Sequence, residues 1–265
     1  MLAHMRTVCG FAGVLWLAVA GLLLVGCDSS EDVGAQSDAG ATVSDEGQNK
    51  ATSDDTEVAK KATPAPIRDT AAIETGKALF DENCAACHQP DAIGSPGVAP
   101  SLINPELLAT ASDEFLMATI RDGREGTGMM PFPHLGRKNV QAIVAYLRSH
   151  GTQPNRAEEV DAQPTAHGDP RLGKLWYDNI CATCHGSKGD GYESGGTGTA
   201  IGKPGFLNKA SDGFIRTTIK QGRSNTRMRG FNGSNALANL SDQEIDDIIV
   251  YLRSLAQNQG EASNP

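Results

Sequence analysis

A disulfide framework is the first thing this chain lacks. It has six cysteines. Four sit in two matched motifs, and Cys9 and Cys27 lie in or beside an apolar N-terminal segment, so nothing is left over for stapling a fold. An excess of positive charge is also missing. The 23 Lys and Arg stand against 32 Asp and Glu, a formal net charge of −9, which excludes a general nucleic-acid binder. Large apolar side chains are scarce, with 39% hydrophobic and 5% aromatic residues. Two small domains of this composition each bury only a thin core. No segment reads as a strand, which excludes a sheet as the scaffold.

What the sequence does have is C-A-A-C-H from Cys84 and C-A-T-C-H from Cys181. A thioredoxin-like thiol pair needs no His directly after it and sits beside a βαβ pattern that is absent here. A structural zinc site needs four ligands closing one tetrahedron, whereas each Cys pair lies in its own look-alike module. C-x-x-C-H is the c-type haem attachment pattern. On one helical turn, residues i and i+3 share a face, so both sulfurs reach the vinyl groups of one porphyrin. The next residue, His88 or His185, then aims an imidazole at the iron. Two haems would also add two large apolar plates to the thin cores.

The N-terminus carries Arg6 and then an apolar run to Gly26, the shape of a secretion signal over residues 1–26. Its end, L-V-G-C, resembles a bacterial lipoprotein cleavage box. That resemblance implies a lipidated Cys27 and an extracytoplasmic chain on the periplasmic side of a bacterial membrane. An uncleaved membrane helix is the competing reading. Residues 27–66 hold nine acids and three lysines with almost no large apolar side chain. Such a stretch cannot bury enough surface to fold and reads as an extended, self-repelling tether.

Two repeats follow, at 67–152 and 170–257, with a linker at 153–169 and a tail at 258–265. G-K-A-L-F from Gly76 matches G-K-L-W-Y from Gly173; Ser112 matches Ser211; Arg124 matches Arg223; Y-L-R-S from Tyr146 matches Y-L-R-S from Tyr251. The offsets grow from 97 to 99 to 105 along the repeat, so short loop insertions separate copies of one module. Each module reads as three main helices. The second starts at a Ser N-cap, Ser112 or Ser211, with Asp in the first turn. Phe115, Leu116, Met117 and Ile120, or Phe214, Ile215 and Ile219, keep its 3.6 period. The third is clearest in module two, where Ser241 and Glu244 form a capping box ahead of the apolar stripe Ile245, Ile248, Ile249 and Leu252. The expected fold is all-α.

A thioether as second axial ligand raises the potential of a haem iron and closes it to oxygen and peroxide. Module one offers G-T-G-M-M-P-F-P and module two N-T-R-M-R-G-F. With these residues in place, both modules resemble the small class I cytochrome c family, in which a Met, often followed by Pro, lies between the second and last helices. The fold implied is two tandem cytochrome c-like three-helix haem domains. The implied cofactor-binding residues are Cys84, Cys87, His88 and Met130, and Cys181, Cys184, His185 and Met228. The axial iron ligands would be His88 with Met130, and His185 with Met228. Met129 stays open as the alternative to Met130. Met228 departs from the family pattern by lacking the following Pro. The family also hydrogen-bonds the axial imidazole to a Pro carbonyl, a role that falls on Pro100 and Pro204. Gly76, Phe80 and Tyr146, and Gly173, Tyr177 and Tyr251, match its packing of first helix on last. His134, His150 and His167 have no counterparts across the repeat and read as exposed loop residues.

Charge divides unevenly. Module two has eleven Lys and Arg against eight acids, and module one has seven against ten. Five cations fall between Arg216 and Arg229. They suit either an acidic redox partner or, at Arg223 and Arg124, the haem propionates. The expected function is a membrane-tethered dihaem c-type cytochrome carrying electrons between a respiratory donor and acceptor. It would be an electron-transfer protein rather than an enzyme, free or as a subunit of a dehydrogenase or oxidase complex. The alternative is a dihaem peroxidase, which needs an open distal site and an acid–base group.

Overall fold

Each repeat begins where an aspartate caps a helix. Asp69 accepts from the Ala72 amide at 3.2 Å and Asp169 from the Arg171 amide at 2.8 Å, satisfying amides that the first turn leaves unpaired. The structure, a computed structural model, describes residues 69–262 except 235, with side chains as far as 257. The expected signal at 1–26, Cys27 and the expected tether at 27–66 lie outside the described residues.

Module one runs α1 (Thr70–Asn83), α2 (Ala85–His88), α3 (Pro105–Thr110), α4 (Asp113–Asp122) and α5 (Gly136–Ser149). A short helix, α6 (Ala157–Asp161), follows. Module two runs α7 (Pro170–Trp176), a π-turn over Tyr177–Cys181, α8 (Ala182–His185), α9 (Pro204–Leu207), α10 (Asp212–Gln221) and α11 (Asp242–Ala262). Among the described residues there is no strand, only two isolated bridges, and the fold is all-α. No described helix is long and apolar enough to cross a membrane. The last helix continues to Ala262, past the expected boundary at 257.

The helix starts follow the sequence signals. The Ser112 and Ser211 hydroxyls accept from the Phe115 and Phe214 amides at 3.3 and 3.0 Å. Ser241 and Glu244 cap each other's amides at 3.3 and 2.8 Å. The stripe behind that capping box is buried at Ile245, Ile248, Ile249 and Leu252.

First and last helices pack together in both modules because a glycine lets them. A Cβ on Gly76 would lie 1.9 Å from the Ala142 carbonyl oxygen, and one on Gly173 would lie 1.9 Å from the Asp247 carbonyl oxygen. Beside each crossing two rings meet: Phe80 and Tyr146 at 5.4 Å, Tyr177 and Tyr251 at 5.3 Å, distances typical of attractive aromatic pairs.

The arginine of each Y-L-R-S then straps the last helix to the start of the second. Arg148 donates to Asp113 at 2.8 Å and to the carbonyls of Leu108 and Ala111. Arg253 donates to Asp212 at 2.9 Å and to the carbonyls of Leu207 and Ala210. The planar five-donor guanidinium is what makes one side chain serve three acceptors.

The modules are packed on each other. Phe115 and Phe214, equivalent positions in the repeat, meet at 4.9 Å, and Phe206 stands edge-on to Phe115 at 6.2 Å. The Ser224 amide and hydroxyl both donate to Glu106 at 2.9 Å, and Asn104 donates to the Ser224 carbonyl at 3.0 Å. The segment between the modules folds as well: α6 buries Val160 and Ala157, and a Cβ on Gly213 would lie 1.9 Å from the Val160 carbonyl oxygen.

Candidate functional site

Each C-x-x-C-H motif closes a helix, so its cysteines sit one turn apart and its histidine ends the turn. Cys84, Cys87, Cys181 and Cys184 form no disulfide with one another. Burial pushes the Cys84 thiol up to about 11 and the Cys181 thiol to about 12, helped in each case by the second cysteine of the motif. Such thiols stay protonated at neutral pH, the opposite of a thiolate redox pair. Among the described residues no three His, Cys, Asp or Glu side chains gather into a metal cage.

The imidazoles are set for one ligand role. His88 is buried, and its Nδ1 lies 3.0 Å from the Pro100 carbonyl oxygen. The His185 Nδ1 lies 2.7 Å from the Thr199 carbonyl oxygen. A carbonyl can only accept, so each ring carries its proton on Nδ1 and presents Nε2 as a lone pair. Burial holds both rings below the ordinary histidine pKa, outweighing the carbonyl contacts. For His185 the Arg124 charge adds to the depression. Gly198 completes the second site: a Cβ there would come within 2.7 Å of the His185 ring.

Thr199 is a correction to the expected Pro204. Pro204 opens α9, and its carbonyl accepts from the Asn208 amide at 3.0 Å, so it is committed to the helix. Its true counterpart is Pro105, which opens α3 in the same way.

The methionine loops repeat one geometry in the two modules. The Arg124 amide donates to the Met129 carbonyl at 2.9 Å, and the Arg223 amide to the Met228 carbonyl at 2.7 Å. Thr127 Oγ1 accepts from the Met129 amide at 3.2 Å, and Thr226 Oγ1 from the Met228 amide at 3.0 Å. Gly123 and Gly222 turn the chain into these loops at φ +65 and +72, each with the methionine carbonyl pressed against where a Cβ would be. Phe132 and Phe231 close the loops by donating to Ile120 and Ile219. Every pair is 99 residues apart, and that register equates Met228 with Met129. Met130 falls opposite Arg229 and is 67% exposed.

Of the five cations around Met228, three are already engaged within the protein. Arg216 is buried and pairs with Asp246 at 2.7 Å, Lys220 pairs with Asp242 at 2.7 Å, and Arg223 donates to Thr218 at 2.9 Å over the Phe214 ring. Only Arg227 and Arg229 of the five are exposed. His134, His150 and His167 are exposed too.

The donor set fits haem. Each module offers two thiols, one oriented neutral imidazole and one thioether loop. Buried cation groups point the same way. Burial pulls Arg223 down to about 10, its Nη1 has no partner, and Arg124 is pulled down to about 10 with no carboxylate salt bridge. Arg223 feels the Glu106 charge, but its unpartnered Nη1, and Arg124 with no described carboxylate bridging it, suit an anionic group arriving with a cofactor. Arg124 and Arg223 are the two arginines matched across the repeat and expected at the propionates.

Two families match the two halves. The one described as "Cytochrome C oxidase, cbb3-type, subunit III" matches residues 71–147, and the one described as "Cytochrome c" matches residues 171–256. Among curated relatives, a "Cbb3-type cytochrome c oxidase subunit CcoP" from Rubrivivax gelatinosus is 29% identical over 194 residues. That match covers 73% of this chain and 58% of the relative. A "Cytochrome bc1 complex cytochrome c subunit" from Mycobacterium leprae (strain TN) is 30% identical over 198 residues, covering 72% of this chain and 64% of the relative. The matched region is therefore 58% and 64% of these relatives' lengths.

Proposed function

We propose, from the premise that this chain is a two-module c-type cytochrome carrying covalent haem, that it relays single electrons between respiratory partners from a membrane tether. Each bound haem supplies a one-electron ferric–ferrous couple. Everything else falls to the protein. Cys84 with Cys87, and Cys181 with Cys184, would hold the porphyrins by thioethers. His88 and His185 would give the iron Nε2, kept in one orientation by the Pro100 and Thr199 carbonyls. Met129 and Met228 would close the opposite positions, each on a loop pinned by Arg and Thr.

The observation that carries this reading is the recurrence of one loop geometry around Met129 and Met228. A peroxidase needs one of these positions left open beside an acid–base group; two equal thioether loops favour a carrier. The relatives' names, an oxidase subunit and a bc1 subunit, support a place in a respiratory complex. The lipid anchor at Cys27 and an acidic partner docking at Arg227 and Arg229 belong to the same proposal.

A redox titration of the purified protein followed by absorption tests it. Two haems, both low-spin in each oxidation state, are expected. Protein without covalent haem overturns the reading, and carbon monoxide binding at both reduced sites overturns the carrier.

A further inference from the structure

Arg124 belongs to module one by sequence and to module two by contact. Its amide donates to the Met129 carbonyl, and its carbonyl accepts from the Thr127 amide at 3.0 Å and hydroxyl at 2.7 Å. The backbone of Arg124 is thus the base of the module-one methionine loop. Its side chain leaves that loop and crosses the module boundary. Nη2 donates to the Ala200 carbonyl at 2.5 Å, and the guanidinium lies 4.8 Å from the Phe206 ring centroid. Ala200 follows Thr199, the residue whose carbonyl orients His185. One residue therefore spans from the thioether loop of one module to the imidazole-orienting loop of the other.

Its repeat partner does not do this. Arg223 keeps its Nη2 on Thr218 and its guanidinium 5.4 Å from the Phe214 ring centroid, both in its own module. The boundary around Arg124 is tight as well. A Cβ on Gly205 would lie 2.1 Å from the Glu125 amide nitrogen, and one on Gly126 would lie 3.0 Å from the Lys203 stem. Neither loop can shift without displacing the other, because packed boundaries of this kind do not deform continuously.

We propose that Arg124 is a positioning residue for both sites at once, tying the Met129 loop to the His185 loop so that the two centres are set jointly. This rests on the two-haem reading. A charge-assisted hydrogen bond in a low-dielectric boundary is strong enough for that task, and the cation would also act on an iron held by His185. Removing it favours the more positive, oxidised state of that centre.

The test compares full-length holoprotein carrying Arg124→Gln, Arg124→Lys or Arg121→Gln. Arg121 is an exposed module-one cation whose side chain pairs with its neighbour Asp122, so Arg121→Gln removes the same charge and leaves in place its carbonyl, which accepts from the Phe132 amide at 3.1 Å. In Arg124→Gln both midpoint potentials are expected to fall. The module-two centre should move by about tenfold in its reduction equilibrium, which is ~59 mV for one electron. Arg124→Lys keeps the charge and should recover part of that shift. It should still displace the proton NMR signals of both the Met129 methyl and the His185 ring, because an ammonium does not reproduce the planar contact. Arg121→Gln should leave both potentials and both signals in place. A change confined to one module in Arg124→Gln or Arg124→Lys overturns the tie, and so does an equal response to Arg121→Gln. If Arg124→Gln fails to load haem, Arg124→Lys decides by the same two-module criterion. Absence of haem from the unsubstituted protein would instead defeat the two-haem reading itself.

Discussion

Two methionines stand side by side at 129 and 130, and their surroundings separate them. Met129 has its amide and carbonyl fixed by Thr127 and Arg124, whereas Met130 lies largely in solvent. Met129→Ala should therefore open the module-one iron, read as new high-spin absorption and carbon monoxide binding at one of two haems. Met130→Ala should leave both haems closed. The information for this choice was in the sequence. The histidine-to-carbonyl spacing is 12 residues at His88 and 14 at His185, so the loop of module two is two residues longer. Adding two to the 97-residue offset of the haem motifs gives 99, which pairs Met228 with Met129, Thr199 with Pro100 and Pro204 with Pro105. The nearest proline, Pro204, is not the carbonyl partner of His185, and the Met-Pro pair alone points to Met130 where the 99-residue register points to Met129. The cysteines and histidines needed no such register, because their chemistry is local to five residues. Thiol chemistry checks them separately: in the mature protein none of Cys84, Cys87, Cys181 and Cys184 should alkylate after denaturation, as mass spectrometry would read.

At the scale of elements, caps and stripes were legible because each depends on residues three or four apart. Ser112, Ser211 and Ser241 all cap where their side chains predict. The straps were not legible, since Arg148 reaches back 40 residues and Arg253 reaches back 46 to find their carbonyls. Their energetics differ in a testable way. Asp212 has 11% of its side chain exposed and Asp113 has 64%, so the module-two pair is less screened by water. Arg253→Ala should cost ~3 kcal/mol of unfolding free energy, leaving buried carbonyls unpaired, and Arg148→Ala less. Denaturant melts of the two variants rank them, and an inverted order would count against the argument. The crossing glycines make a companion case. Gly76→Ala or Gly173→Ala forces α1 off α5 or α7 off α11 and should cost about 1–3 kcal/mol, as overpacking does.

The whole molecule is where the sequence said least. It showed two copies joined by what reads as a polar linker, and nothing in a repeat announces whether its copies touch. The contact depends on residues that look ordinary in isolation: Phe115 against Phe214 and Phe206, Glu106 under the Ser224 amide, Val160 buried from within the linker. Phe115 and Phe214 keep the stripes of their own helices and also meet across the boundary. Two thin cores that share a boundary should melt together, because neither module keeps its apolar surface covered once the other unfolds. One thermal transition, coincident by helix signal and by haem absorption, is therefore expected for the full chain. Gly205 offers the lever to break it. A Cβ there would lie 2.1 Å from the Glu125 amide nitrogen, so any side chain must push the two modules apart. Gly205→Leu should divide the single transition into two and leave the haem content at two per chain. A single unchanged transition in that variant would mean that the modules stand independently of this boundary, and Arg124 would then have nothing to span.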